Sequence, residues 1–254
     1  MHTSLIPLLL GALFTTAPAP DAAAGARPDA GLITSRSVTV GKNSYTYQVF
    51  VPAKLRGQKN PPVLMFLHGI GQRGAGGYLP TEGAAAALAR GYLEGVPAIV
   101  LLPQCDKKYF WNDEEMELMT LAALDETVRE FGADTKRLYL AGVSMGGYGA
   151  WHFASRRPGA FAAVVAVCGG SPLRAGERFA PVARAVGRTP VWVFHGAEDR
   201  IVPVGESRRM VEALRAVEGN RVRYSEYAGV GHNVWLNALS EPSLLPWLFE
   251  QRLD

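Results

Sequence analysis

Two hydrophobic patterns divide the chain. Over residues 35–40 and 45–51, apolar and polar positions alternate with period two, and Gly41-Lys42-Asn43-Ser44 joins the two runs as a turn. That predicts an antiparallel hairpin with one half-exposed face. After Pro52 and a polar loop to Asn60 the pattern changes. Residues 63–67, 98–102, 138–141, 161–167 and 190–194 are short, mostly apolar runs, and 221–227 is a final strand. Runs of this kind predict strands buried on both faces. Helical stretches separate them: an Ala-rich segment at 81–90, then 114–131, a helix through 150–154, 205–217, and a closing helix at 242–252. In 114–131, Leu118, Leu121, Ala122, Leu124, Asp125 and Val128 recur at helical spacing and predict the buried face. Strands alternating with helices mean βαβ units. The expectation is an α/β fold: a mostly parallel eight-stranded sheet, helices on both faces, and an N-terminal antiparallel hairpin.

The first residues do not fit this alternation. Residues 5–14 are apolar but too few to span a bilayer, and Ala22-Ala23-Ala24 and Ala24-Gly25-Ala26 both suit a small-x-small cleavage site. Residues 1–26 therefore read as a signal peptide, 27–34 as a linker, and 35–254 as one domain. The leader lacks the usual Lys or Arg before its apolar stretch. An exported chain would be secreted or periplasmic. With 48% hydrophobic residues in 254, a sizeable core is available. The net charge of +3 is scattered, which excludes the basic stripe of a nucleic-acid partner. No run of 18 apolar residues follows the N-terminus, so no membrane span is expected.

In open α/β sheets, ligands gather at the carboxyl ends of strands. Strand 138–141 runs into Gly142-Val143-Ser144-Met145-Gly146, a G-x-S-x-G followed by a helix. Strand, tight glycine turn and helix make a nucleophile elbow, with Ser144 Oγ raised above the sheet. Strand 63–67 exits into His68-Gly69-Ile70 and a glycine-rich loop without the Lys-Ser/Thr of a phosphate loop. Beside a nucleophile, such a loop supplies half of an oxyanion hole. The donors would be the N–H of Met145 and one at Gly69 or Ile70. Strand 190–194 exits toward Glu198 and Asp199; Asp199 is preferred as the acid, with Glu198 the alternative. Strand 221–227 exits into Ala228-Gly229-Val230-Gly231-His232, which delivers an imidazole. The order Ser144, Asp199, His232 is that of nucleophile, acid and base in one fold. His68 and His195 precede glycines at strand ends and are expected to brace loops. No histidine or cysteine pair has zinc-ligand spacing, so neither metal nor cofactor is expected.

LHGIGQRGAGG, PQC…FWND, AGVSMGGYGAW, HGAEDRIVPV and GVGHNVW together resemble the α/β-hydrolase superfamily. Within it the chain is similar to exported single-domain serine esterases of feruloyl-esterase and polyhydroxybutyrate-depolymerase type, and to peptidases of prolyl-oligopeptidase type. The resemblance implies a serine carboxylesterase with catalytic Ser144, Asp199 and His232, acting on small or polymeric esters. No propeller domain precedes the motifs, and 169–189 leaves room for a short excursion only, so no large lid is expected. Trp111, Trp235 and His68 are expected to line the open site. A small peptidase, or a silent binding module on the same fold, are the alternatives. The usual strand order of the fold separates the exits of Cys105 and Cys168 by three strands, about 14 Å at ~4.8 Å each. They are therefore expected to be unpaired, since a disulfide needs Cα atoms within roughly 7 Å.

Overall fold

The computed structural model describes residues 31–74 and 93–254. The leader and the helix expected at 81–90 lie outside the described residues. Strands β1 (Leu32–Val40) and β2 (Asn43–Val51) form the hairpin, and Gly41 turns it with a left-handed φ of 59°. Strands β3 (Val63–Leu67), β4 (Ile99–Pro103), β5 (Leu138–Val143), β6 (Ala163–Val167), β7 (Val191–Gly196) and β8 (Val222–Tyr227) follow. The sheet order is β1-β2-β4-β3-β5-β6-β7-β8. Among the described strands, only the β1–β2 and β2–β4 pairs are antiparallel. The α/β-hydrolase fold is thus present, with the hairpin at one edge.

Because strand side chains alternate between faces, the sheet has two cores. Val63, Met65 and Leu67 join one core, with helices α1 (Glu114–Phe131), α2 (Met145–Arg156), α3 (Ala180–Val186) and α4 (Gly205–Arg215). Leu64 and Phe66 join the other, beneath α5 (Trp235–Leu239) and α6 (Leu244–Glu250). Cys105 lies in the first core and Cys168 in the second; both are free thiols.

Register is what matters for the site. Leu67 pairs with Gly142, Val143 with Val167, Val167 with Phe194, and Gly196 with Tyr227. The carboxyl ends of β3, β5, β6, β7 and β8 are therefore nearly level. Their exit loops share one rim.

Three expectations need correcting. First, β1 starts at Leu32, inside the stretch read as linker. Second, α3 and α5 were not predicted; they are seven and five residues long, too short for a helical period to show. Third, the buried face of α1 is only partly the expected one: Leu124 is buried and Leu121, Ala122 and Val128 pack half-buried on the core, but its centre is Met116, Met119, Thr120, Ala123 and Thr127. Leu118 is 49% exposed instead. Two threonines on the inner face disguised it. Thr127 Oγ1 donates to Ala123 O at 2.7 Å, so its hydroxyl is buried already partnered.

Candidate active site

Ser144 stands between β5 and α2 at φ 55°, ψ −116°. A side-chain-bearing residue adopts that conformation only under constraint. The constraint is visible next door, where the turn packs so closely that a Cβ on Gly146 would run into the Leu67 carbonyl. Ser144 N–H donates to Val167 O at 2.9 Å, fixing the turn to the next strand.

His232 arrives from β8. Its loop crosses β7 at Gly196, where a Cβ would run into the carbonyls of Val230 and Gly231. The His232 ring then faces two partners. Nε2 lies 2.8 Å from Ser144 Oγ, and Nδ1 lies 2.7 Å from Asp199 Oδ2. A carboxylate only accepts, so Nδ1 carries the proton and Nε2 is free to accept from the serine hydroxyl.

Asp199 follows β7, with its side chain fully buried. Burial alone would raise its pKa. Hydrogen bonds from His232, and from Val202 and Ile201 N–H at 2.9 and 2.8 Å, outweigh burial and hold it below the usual carboxylate value. The carboxylate is therefore ionised at neutral pH. Glu198, the alternative acid, shows no such set of contacts to the imidazole; its backbone N–H donates to Val230 O at 2.9 Å and helps pin the histidine loop.

Gly69 and Ile70 sit beside the serine. A Cβ built on Gly69 would stand 3.7 Å from Ser144 Cβ, and Ile70 opens a 3-10 turn, Ile70–Gln72. Met145 is the first residue of α2, where an N-terminal N–H has no helical partner. A cavity of about 190 Å³ opens at Ser144, between Phe66, Ile70, Val143, Trp235 and Leu239. Its wall is mostly apolar. Trp235 lies in it, edge-on to His232 with ring centroids 5.9 Å apart. A second cavity of about 130 Å³ lies near Leu138, at the opposite end of β5 from Ser144.

His68 also borders the first cavity, but its ring is committed. Nδ1–H donates to Gly69 O at 2.7 Å, and Nε2 accepts from Cys105 N–H at 3.1 Å. Burial lowers its pKa to about 4, so it is neutral. Trp111 is a correction. It is 1% exposed, belongs to the core, and donates Nε1–H to His68 O at 3.0 Å. It supports the loop from below rather than lining the cavity.

Two features were not legible in sequence. Cys168 Sγ lies with the Asp199 and His232 ligand atoms in a group spanning at most 4.8 Å. Such a group can in principle hold a metal. Burial, however, pushes the thiol up to about 12, and it donates to His232 O at 3.6 Å. With Asp199 bonded to His232 and His232 to Ser144, hydrogen bonding accounts for the cluster. The second feature is His195, whose Nε2 also stands against Asp199, 3.2 Å from Oδ2.

Comparison with known proteins agrees with this architecture. Residues 113–242, which hold Ser144, Asp199 and His232, match the phospholipase/carboxylesterase family. A 62-residue stretch is 40% identical to esterase LipC of Mycobacterium tuberculosis (strain ATCC 25618 / H37Rv), covering 24% of this chain and 13% of that one. A thermostable esterase of known structure is 32% identical with a TM-score of 0.70, over 88% of this chain and 64% of that one. The chain thus spans less than two thirds of either. A mutant of the feruloyl esterase module from Clostridium thermocellum, complexed with sinapinate, is 16% identical with a TM-score of 0.67, over 92% and 94% of the two chains. At that identity the likeness concerns the fold.

Proposed function

The chain belongs to the phospholipase/carboxylesterase family, and from that premise we propose that it is a serine hydrolase cleaving carboxylic esters through an acyl-enzyme on Ser144. One observation carries the reading: the unbroken chain Ser144 Oγ, His232, Asp199, with links of 2.8 and 2.7 Å.

The chemistry follows from those links. As Ser144 Oγ bonds to the ester carbonyl carbon, its proton passes to His232 Nε2. Asp199 holds the tautomer and stabilises the imidazolium. The carbonyl oxygen, now negative, is held by the N–H of Met145 and one from Gly69 or Ile70; each such donor is worth about 2.7–4 kcal/mol where measured. The C–O bond to the alcohol breaks as His232 returns the proton to the departing oxygen. Water then repeats the sequence on the acyl-enzyme, and the acid leaves.

The apolar wall of Phe66, Val143, Trp235 and Leu239 suits an apolar acyl or aryl group, which favours aryl, feruloyl, acetyl or polyester substrates. Export belongs to the same reading and rests on the pattern of residues 1–26. N-terminal sequencing of protein recovered outside the cytoplasm tests that part.

The function is tested with p-nitrophenyl acetate against an aminoacyl-p-nitroanilide. Turnover of the ester, little of the anilide, and loss of turnover in Ser144→Ala are expected. Faster cleavage of the anilide would make the chain a peptidase. A panel of feruloyl, acetyl-xylan and polyester substrates then names the acyl group.

A further inference from the structure

His195 has no part in the steps above, yet it is fully buried against the same carboxylate. Its Nε2 faces two acceptors, Val202 O at 2.9 Å and Asp199 Oδ2 at 3.2 Å. Nε2 must therefore carry a proton, shared between them. Its Nδ1 lies 2.7 Å from Ser207 Oγ on α4. Burial lowers the pKa of His195, so the ring is neutral at neutral pH and Nδ1 accepts from the Ser207 hydroxyl. Ser207 in this way reinforces that tautomer.

The oxygen His195 touches is the decisive detail. Asp199 Oδ1 takes the two backbone donors, from Ile201 and Val202. Oδ2 takes His232 Nδ1–H, and His195 Nε2, which donates to Val202 O, stands 3.2 Å from that same oxygen. Two imidazoles thus face one carboxylate oxygen, one at the site and one in the core.

We propose that His195 is a positioning residue: its Nε2–H edge, 3.2 Å from Oδ2, steadies the Asp199 carboxylate against His232 and moderates how strongly that carboxylate stabilises the His232 imidazolium. The proposal rests on Ser144, His232 and Asp199 acting as read above. A neutral donor suits this role. It orients the carboxylate without cancelling its charge, whereas an arginine or lysine there would neutralise the acid.

The other titratable groups around the pair are few. Cys168 approaches from the β6 exit, Tyr148 from α2, Glu206 from α4 and Glu226 from β8. Burial raises Tyr148 and the Cys168 thiol, so both are neutral at neutral pH. Glu226 is paired with Arg208, and Glu206 with Arg178 and Arg209. None of them is hydrogen-bonded to Asp199 among the contacts described.

The test is the pH profile of kcat/KM for p-nitrophenyl acetate. His195→Phe keeps a flat ring and removes the donor. Freed of it, Asp199 stabilises protonated His232 more, so the acid limb should move to higher pH by about half a unit to one unit. His195→Gln, which restores an N–H donor, should return the limb toward wild type. Ser207→Ala, which removes that reinforcement, should move it the same way by less. A side chain that only filled space would change kcat or stability and leave the limb in place. An unmoved limb in both His195→Phe and Ser207→Ala overturns the proposal. Where His195→Phe fails to fold, Ser207→Ala decides alone: a moved limb supports the proposal and an unmoved one overturns it. Ser144→Ala is run alongside. Wild-type turnover by that variant would overturn the serine mechanism itself. An inactive Ser144→Ala with unmoved limbs elsewhere overturns only the role of His195.

Discussion

The turn at Ser144 should cost the protein stability, and the cost can be measured by comparing two substitutions at that one position. At φ 55°, ψ −116°, the residue lies outside the regions that side-chain-bearing residues favour. Such a residue carries about 1–3 kcal/mol of strain. Ser144→Ala keeps a Cβ, and so keeps the strain. Ser144→Gly removes it, but a glycine also loosens the unfolded chain, which costs about 0.4–1 kcal/mol. Both variants lose the same hydrogen bond to His232, so that loss cancels between them. Ser144→Gly should therefore be more stable than Ser144→Ala by about 1 kcal/mol. In a chain of this size that is a Tm higher by about 2–4 °C. Paired thermal melts and urea titrations in one buffer read the difference. A Ser144→Gly no more stable than Ser144→Ala would refute the strain argument, since the elbow would then fit any residue.

Four further outcomes follow from the packing. His68 is held down to about 4 by burial, whereas an unfolded histidine titrates near ~6.5. Between those values the unfolded state binds the extra proton, so stability is present at neutral pH and lost as pH falls through the window. The loss is about 3 kcal/mol from this group, and His68→Asn should show a shallower fall in urea midpoint between pH 7 and pH ~4.5. An equal fall in the two proteins would count against a buried neutral ring. Trp111→Ala should cost about 3–5 kcal/mol of stability, as large core truncations do. Trp235→Ala should instead raise KM for bulky aryl esters with little change in urea midpoint; the reverse pattern would mean the two roles are exchanged. Thiol titration of the denatured, unreduced protein should find both Cys105 and Cys168 free, because they lie in the cores on opposite faces of the sheet. Finding no free thiol would contradict that placement.

Much of the fold was legible because its signals are local. The apolar run 63–67 and the helix 114–131 have the bounds the pattern assigns them. The positions of Ser144, Asp199 and His232 were legible because each follows a strand, and level strand ends bring such exits together. What stayed hidden depends on contacts between distant segments. Nothing in its composition marks Trp111 as a core residue; its place follows from packing edgewise on His68, with ring centroids 5.0 Å apart. The inner face of α1 was legible only in part, because Thr120 and Thr127 are polar residues by type. His195 was expected to brace a loop, and it does bond Val202 O. Its approach to Asp199, four residues later, depends on how the β7 exit folds back, which no spacing rule encodes. One signal was available: the glycine after it, Gly196, marks where the His232 loop crosses the strand.

The central claim is that Ser144 carries the acyl group between two half-reactions. Rapid quenching of the protein with p-nitrophenyl acetate in the pre-steady state, followed by peptide mass analysis, tests it most directly. The account predicts a stoichiometric burst of p-nitrophenol and one acetyl group on the peptide holding Ser144, both absent from Ser144→Ala. An acetyl group on another residue, or ester turnover by Ser144→Ala above about a tenth of wild type, would contradict it.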